Sequence, residues 1–411
     1  MVLQGALGII VFILLAVAIS ERPKHVSWRV IIIGVGFQLF LAAILLKLPT
    51  SEMIFLLIND AVLSIQNATK VGTSFVFGYL GGAPLPFMEN FPGASFILAF
   101  QALPLILIVS ALSSLLFHWG VLPAVIRGLS WSLKSIFGIG GSVSLATAAN
   151  IFIGMVESPI LIKPHLCRLS RGELFTVMTA GMATIAGTVL ILYASLIGKA
   201  VPNAISHLLT ASLISAPAAV MIAKLMIPDE KKTQGSVTYP ETSSSIDAIT
   251  QGTTEGVRLL INVIAMLIVA VSLVALTNNI LSLVPPVAGE TLTLQRILGW
   301  LMAPIVWLMG IPWNESFEAG RLMGIKIILN EFLAFNELAG NTGKTLSERS
   351  RMVMTYGLCG FANFGSAGIM IGGLTAMAPE RRAEITALSG KAIISGTLAT
   401  CITGSIAGLL L

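Results

Sequence analysis

The sequence predicts an all-α integral membrane protein, with about eight transmembrane helices and two re-entrant helical hairpins arranged as inverted repeats. Three observations carry this expectation. Of 411 residues, 55% are hydrophobic and 10% are charged, and the mean hydropathy is +0.92, which places the chain in the integral-membrane class. Apolar runs long enough, or nearly so, to cross a bilayer recur along the whole length. Two polar stretches broken by glycine or proline, residues 150–163 and 314–340, interrupt this background at matching places in the two halves.

The apolar runs fall at roughly 3–20, 28–47, 94–117, 173–197, 204–227, 256–284, 352–377 and 386–411. The first has no basic stretch ahead of it and no small-residue cleavage site, so it reads as a span rather than a removed signal peptide. Arg22, Lys24 and Arg29 follow it, and the positive-inside bias puts that loop in the cytoplasm and the N-terminus outside. Alternation then places Arg127, Lys134, Lys163, Arg168, Arg171, Lys231, Lys232, Arg381 and Arg382 inside and the C-terminus outside, as in a multi-pass protein of the cell inner (cytoplasmic) membrane. The basic residues therefore report topology, and the small net charge of +5 gives no nucleic-acid patch.

Between the second and third runs, an amphipathic stretch around 53–65 reads as an interfacial helix on the outer face, and the glycine-punctuated segment 72–82 carries no evident chemistry. Residues 228–250, rich in Ser, Thr, Asp, Glu and Lys, read as a cytoplasmic linker. On either side of it the same order recurs. An amphipathic run with tryptophan, 122–139 with Trp131 or 294–313 with Trp300 and Trp307, precedes an interrupted stretch and two spans. The first copy starts inside and the second outside, a pattern of secondary transporters that puts a binding site between the copies.

Four stretches can carry chemistry. In 150–163, Pro159 removes a backbone donor and Glu157 costs about 2.5–3.5 kcal/mol at bilayer depth, taking Asp as its guide. Gly154 and Pro159 predict a turn that brings Asn150 and Glu157 to a hairpin tip, where carbonyls meet a cation and the carboxylate meets a hydroxyl-bearing or basic ligand. In 181–195, Gly181, Thr184, Gly187, Thr188 and Ser195 mark close packing or ligation, and the helix loosens at Thr184 and Ile185. In 314–340, Glu318 and Arg321 can pair on one helical face, whereas Asn330 and Glu331 read as a ligand pair. In 356–373, the glycine density predicts an unwound span in which Phe361 can stack on a planar ring and Asn363 and Ser366 share a face. Interhelical hydrogen bonding by Asn150 and small-residue packing along 356–373 are the structural alternatives.

Cys167, Cys359 and Cys401 are scattered, and His25, His118, His165 and His207 show no metal spacing. A GxSxG nucleophile signature is absent, as are the charge rings and repeated filter motifs of a channel. An intramembrane enzyme using Glu157 and Glu331 as an acid/base pair is the alternative of a different class.

The stretches AANIFIGMVESPILIKP, MATIAGTVL, PWNE, NEF and GFANFGS resemble, in order and over nearly the whole chain, those of the concentrative nucleoside transporters. The resemblance implies a homotrimer whose protomers pair a scaffold domain with a mobile transport domain, and elevator-like, ion-driven uptake of nucleosides such as uridine. Its expected organisation is scaffold helices with the outer interfacial helix at 1–120, a first transport repeat at 121–227, the linker at 228–250, a scaffold span at 251–290 and a second transport repeat at 291–411. Carried over residue by residue, Glu157 would hydrogen-bond the nucleobase, with Met155 and Val156 beside it, Leu259 and Phe361 bordering it and Val189 against it. Glu331, Asn363 and Ser366 would bind the ribose hydroxyls. The sodium site of relatives would map to Asn150, the Ile153 carbonyl, Thr184 and the Ile185 carbonyl, plus a threonine before the hairpin glutamate. Here that threonine is Val156, preceded by Met155 where relatives carry glutamine. Valine gives a hard cation no side-chain oxygen, so the expected coupling ion is H+ rather than Na+, with Glu157 or Glu331 as carrier. No cofactor is expected, and the partners are the nucleoside, membrane lipid and two further copies of the chain.

Overall fold

The apolar runs fold into twenty α-helices in the computed structural model, which describes residues 2–47, 49–89, 94–229, 232–233, 242–287 and 289–411. α1 (Val2–Ala18), α2 (Trp28–Lys47) and α3 (Pro49–Phe77) open the chain, and α4 (Leu98–Gln101) and α5 (Leu105–His118) form the third run. The first interrupted region contains α6 (Val121–Phe137), α7 (Gly141–Ile153), α8 (Glu157–Ile160) and α9 (Lys163–Leu166). α10 (Arg171–Ala183) and α11 (Gly187–Ile197) follow, then α12 (Ala204–Met226) and α13 (Ser245–Leu281). The second interrupted region contains α14 (Leu294–Leu308), α15 (Trp313–Ile328), α16 (Glu331–Ala339) and α17 (Asn341–Thr345). α18 (Glu348–Leu358), α19 (Phe364–Met377) and α20 (Arg382–Leu410) complete the chain.

Side-chain caps set several helix starts. Ser170 and Glu173 form a capping box on α10, Ser244 accepts from the Asp247 amide at the start of α13, and Asn363 accepts from the Ser366 amide at the start of α19. The Ser244 cap corrects one boundary: α13 begins inside the stretch read as linker, whose residues 230, 231 and 234–241 lie outside the described part. The outer amphipathic helix is also longer than 53–65. α3 runs 29 residues and absorbs the first part of the glycine-punctuated segment.

Six helices are long and apolar enough to cross a membrane, and α14 with α15 passes the same test as a pair bent by 117°. α1 is apolar but only 17 residues long, and the run at 352–377 is divided into α18 and α19, so among the described residues the expected eight runs include a short one and at least one broken one. The break at Thr184 likewise separates α10 from α11.

The core lies between α12 and α20, whose most apolar windows are 83% and 78% buried, against 0% for α13. Hydroxyls tie α20 to its neighbours: Thr179 of α10 pairs with Ser395 at 2.8 Å and Ser215 of α12 with Thr403 at 3.0 Å, interhelical hydrogen bonds suited to an apolar setting. α1 and α2 pack on α12 and α20, whereas α5 pairs with α13. Within residues 1–120, α3 contacts both α2 and α5.

Candidate functional site

Four chain breaks point polar groups inward. α7 ends at Ile153, and Gly154 turns the chain with φ +95°, a conformation that a side chain would strain. A Cβ built there would lie 2.7 Å from Glu157 Oε2, so the glycine also makes room for the carboxylate that follows it. Glu157 starts α8 with its side chain exposed to a cavity of about 140 Å³, lined also by Ile153, Thr188, Leu259, Glu255 and Ser110.

Asn150 is buried behind this turn. Its Nδ2 donates to the Ala180 carbonyl at 2.9 Å and to Thr184 Oγ1 at 2.5 Å, and its Oδ1 accepts from Ser158 at 3.3 Å. Ser212 of α12 exchanges hydrogen bonds of 3.4 Å with the amide and carbonyl of Ile185. Asn150, Thr184 and Ile185 thus meet at the break between α10 and α11, while Ile153 lines the Glu157 cavity. Val156 lies against α19, where a Cβ on Gly373 would come within 2.8 Å of its Cγ1, so this close approach requires glycine. Met155 packs on Gly181, and Val189 is buried.

The second cluster centres on Glu331, the first residue of α16, which is 5% exposed. Tyr193 donates to Glu331 Oε1 at 2.6 Å and Asn363 Nδ2 donates to Oε2 at 2.9 Å. The Tyr193 ring is held by Phe335 and Phe332, with centroids 5.2 and 6.1 Å away. Asn363 Oδ1 accepts from the Ser366 amide at 2.7 Å, so these two residues meet at a helix N-cap rather than on one helical face. Phe361, in the unwound segment before them, is half-buried against the core. Asn330 differs from its expected role: its Oδ1 accepts from the Leu333 amide and caps α16, leaving Glu331 to face the cluster. Glu318 and Arg321 do pair, at 2.9 Å.

α11 joins the clusters. Thr188 lines the Glu157 cavity and Tyr193 holds Glu331, and the five residue steps from one to the other span about 7.5 Å of helix axis. α11 thus runs from the Glu157 cavity, which Leu259 also lines, to the buried Glu331 cluster. Sequence reasoning missed Tyr193 and Ser158. A phenol inside an apolar span was the signal for the first, and adjacency to Glu157 for the second.

Residues 207–408 match the family described as Na+ dependent nucleoside transporter C-terminus, residues 7–80 match the corresponding N-terminus, and residues 99–200 match a family described as nucleoside recognition. The uncharacterized transporter YutK of Bacillus subtilis (strain 168) is 37% identical over 415 residues, covering 99% of both chains. Solute carrier family 28 member 3 of Homo sapiens is 35% identical over 424 residues, covering 98% of this chain and 59% of that longer protein. The solved structure of CNTnw in an inward-facing substrate-bound state matches with 34% identity and a TM-score of 0.90, covering 99% of this chain and 98% of the other.

Proposed function

Because the chain belongs to the Na+ dependent nucleoside transporter family, a family of membrane carriers rather than enzymes, we propose that it takes up nucleosides by cation symport with the base at Glu157 and the ribose at Glu331. The observation that carries this reading is α11, which places Thr188 beside one carboxylate and Tyr193 on the other. Glu331 accepts from a phenol and an amide and keeps lone pairs for a diol, while Asn363 and Ser366 border the same place. Met155, Val156, Val189, Leu259 and Phe361 supply the apolar walls around the base.

The coupling ion in this reading is H+, carried by Glu157 or Glu331. One observation supports it: Val156 lacks a hydroxyl and lies against Gly373, so a hard cation loses a side-chain oxygen at the hairpin tip. Sodium is the second reading, favoured by the family's description, with Asn150, Ile153, Thr184 and Ile185 as the ligands.

Movement is of the elevator type. α5 and α13 pair as a frame, while α1, α2, α12, α20 and the four broken elements pack together as the moving part. The outward face of α13 carries exposed Ile261, Ile268, Val271 and Leu276, an apolar stripe that two further copies would cover in a homotrimer. In this reading the chain lies in the cytoplasmic membrane with both termini outside, a placement that the basic loops support.

Uptake of radiolabelled uridine into proteoliposomes tests the reading, comparing an inward proton gradient without sodium against an inward sodium gradient at equal pH. Proton-driven accumulation is expected. Accumulation driven only by sodium would keep the carrier and replace its ion, and no accumulation of any nucleoside under either gradient would overturn the substrate.

A further inference from the structure

Lys326 is fully buried in the middle of the molecule, a position that costs several kcal/mol for an ammonium unless its surroundings replace water. Its Nζ donates to the Gly357 carbonyl at 2.8 Å and to Thr400 Oγ1 at 2.9 Å. The C-terminal ends of α15 and α18 carry the carbonyl-rich, partially negative side of the helix dipole close to this spot, and the Glu331 carboxylate starts α16 five residues further along the chain.

The two halves place a different residue in the same setting. The order α6, α7, α10, α11, α12 recurs as α14, α15, α18, α19, α20, and contacts recur with it: α7 on α10 as α15 on α18, and α10 on α12 as α18 on α20. Asn150 lies three residues before the end of α7, and Lys326 two before the end of α15. Each is buried, and each donates to a carbonyl in the last turn of the first half of a broken helix, Ala180 in α10 or Gly357 in α18. Each also reaches a threonine hydroxyl, Thr184 or Thr400.

From this correspondence we propose that the Lys326 ammonium is a tethered cation, filling at the second chain break a place that would otherwise hold a monovalent metal ion. A carbonyl at a helix end, a hydroxyl and a nearby carboxylate are the groups that hold such an ion at broken helices. The lysine supplies the positive charge permanently, so the second break takes no cation from solution. Tying α15 to α18 and α20 is a separate effect, and it would not depend on which cations are present.

The test replaces Lys326 with the residue used at the first break. The full chain and its Lys326→Asn and Lys326→Met variants are melted in detergent in N-methylglucamine, lithium, sodium and potassium chlorides at equal ionic strength. Lys326→Asn should gain an upward shift of about 2–4 °C with the alkali ion that fits, beyond any shift in the parent. Lys326→Met, which fills the space without charge or oxygen, should be destabilised and gain no such response. The same cation response in Lys326→Asn as in the parent would overturn the proposal. Should Lys326→Asn not fold in any salt, Lys326→Ser takes its place in the same series, and an alkali-ion shift no larger than the parent's overturns the proposal. The inference rests on the carrier reading only in taking the chain breaks as cation sites; a parent that fails to accumulate nucleosides would sink the carrier reading and leave the melting comparison standing.

Discussion

Glu331 is the side chain on which most of the polar geometry converges, and its partners let the cost of changing it be stated. Glu331→Gln keeps the shape but gives up the charge that Tyr193 and Asn363 donate to. With about 1.5–3 kcal/mol for a hydrogen bond to a charged group, nucleoside uptake should fall roughly 10–100-fold or more with assembly intact. Normal uptake by a well-expressed variant would remove Glu331 from the site. Tyr193→Phe should cost less, about 5–30-fold in apparent affinity, because one donor is lost and the carboxylate stays. Val156→Thr addresses the ion: the variant should gain several-fold sodium stimulation of uptake, and no response would mean that the site differs from a sodium site by more than this one ligand. At this scale the sequence exposed the carboxylates, because charge in an apolar run stands out. It did not expose Tyr193 or Ser158, since a phenol or hydroxyl in a span more often serves packing.

Broken helices need specific residues at the break, and Gly154 is the clearest. Its φ of +95° and the 2.7 Å approach of Glu157 Oε2 mean that an added methyl meets both backbone strain and the carboxylate. Gly154→Ala should therefore destabilise the folded chain by about 1–2 kcal/mol and weaken uptake further by displacing Glu157. Melting and transport measured on one preparation would separate the two effects, and an unchanged protein would show that the turn tolerates a side chain. The breaks were legible in the sequence because glycine or polar residues interrupt an apolar run at each: Gly154 and Glu157, Thr184 and Gly187, Asn330 and Glu331, Gly360 and Asn363. Where the elements begin was less so. Ser244 moves the start of α13 into the polar linker, and Asn330 looked like a ligand when it is a cap, because the same residue types serve turns, caps and sites.

The whole molecule is tied at one end by charges that belong to distant parts of the chain. Glu21, after α1, accepts from Arg171 at 2.9 Å and from Lys391 at 2.6 Å, and Arg171 also approaches Glu384 at 3.7 Å. Nothing local in the sequence announced this cluster, since its members lie in the first loop, at the start of α10 and on α20. The Arg171 guanidinium hydrogen-bonded to Glu21 holds its carboxyl down, from 4.5 to about 2, with Lys391 adding to the effect and partial burial opposing it. A depressed carboxyl stabilises the fold while it is ionised in the native state and titrates higher in the unfolded one. The contribution is therefore complete above about pH 4.5 and is lost as pH falls towards 2. Melting temperature followed from pH 7 down to 3 should decline below about pH 4.5 in the parent, and Glu21→Gln should start lower and show a flatter decline. Parallel curves for the two proteins would show that other carboxylates govern the acid limb. Because α1 packs on α12 and α20 within the proposed moving part, Glu21→Gln should leave the ion dependence of uptake unchanged. A change in that dependence would place this charged end in the frame and redraw the boundary between frame and carrier.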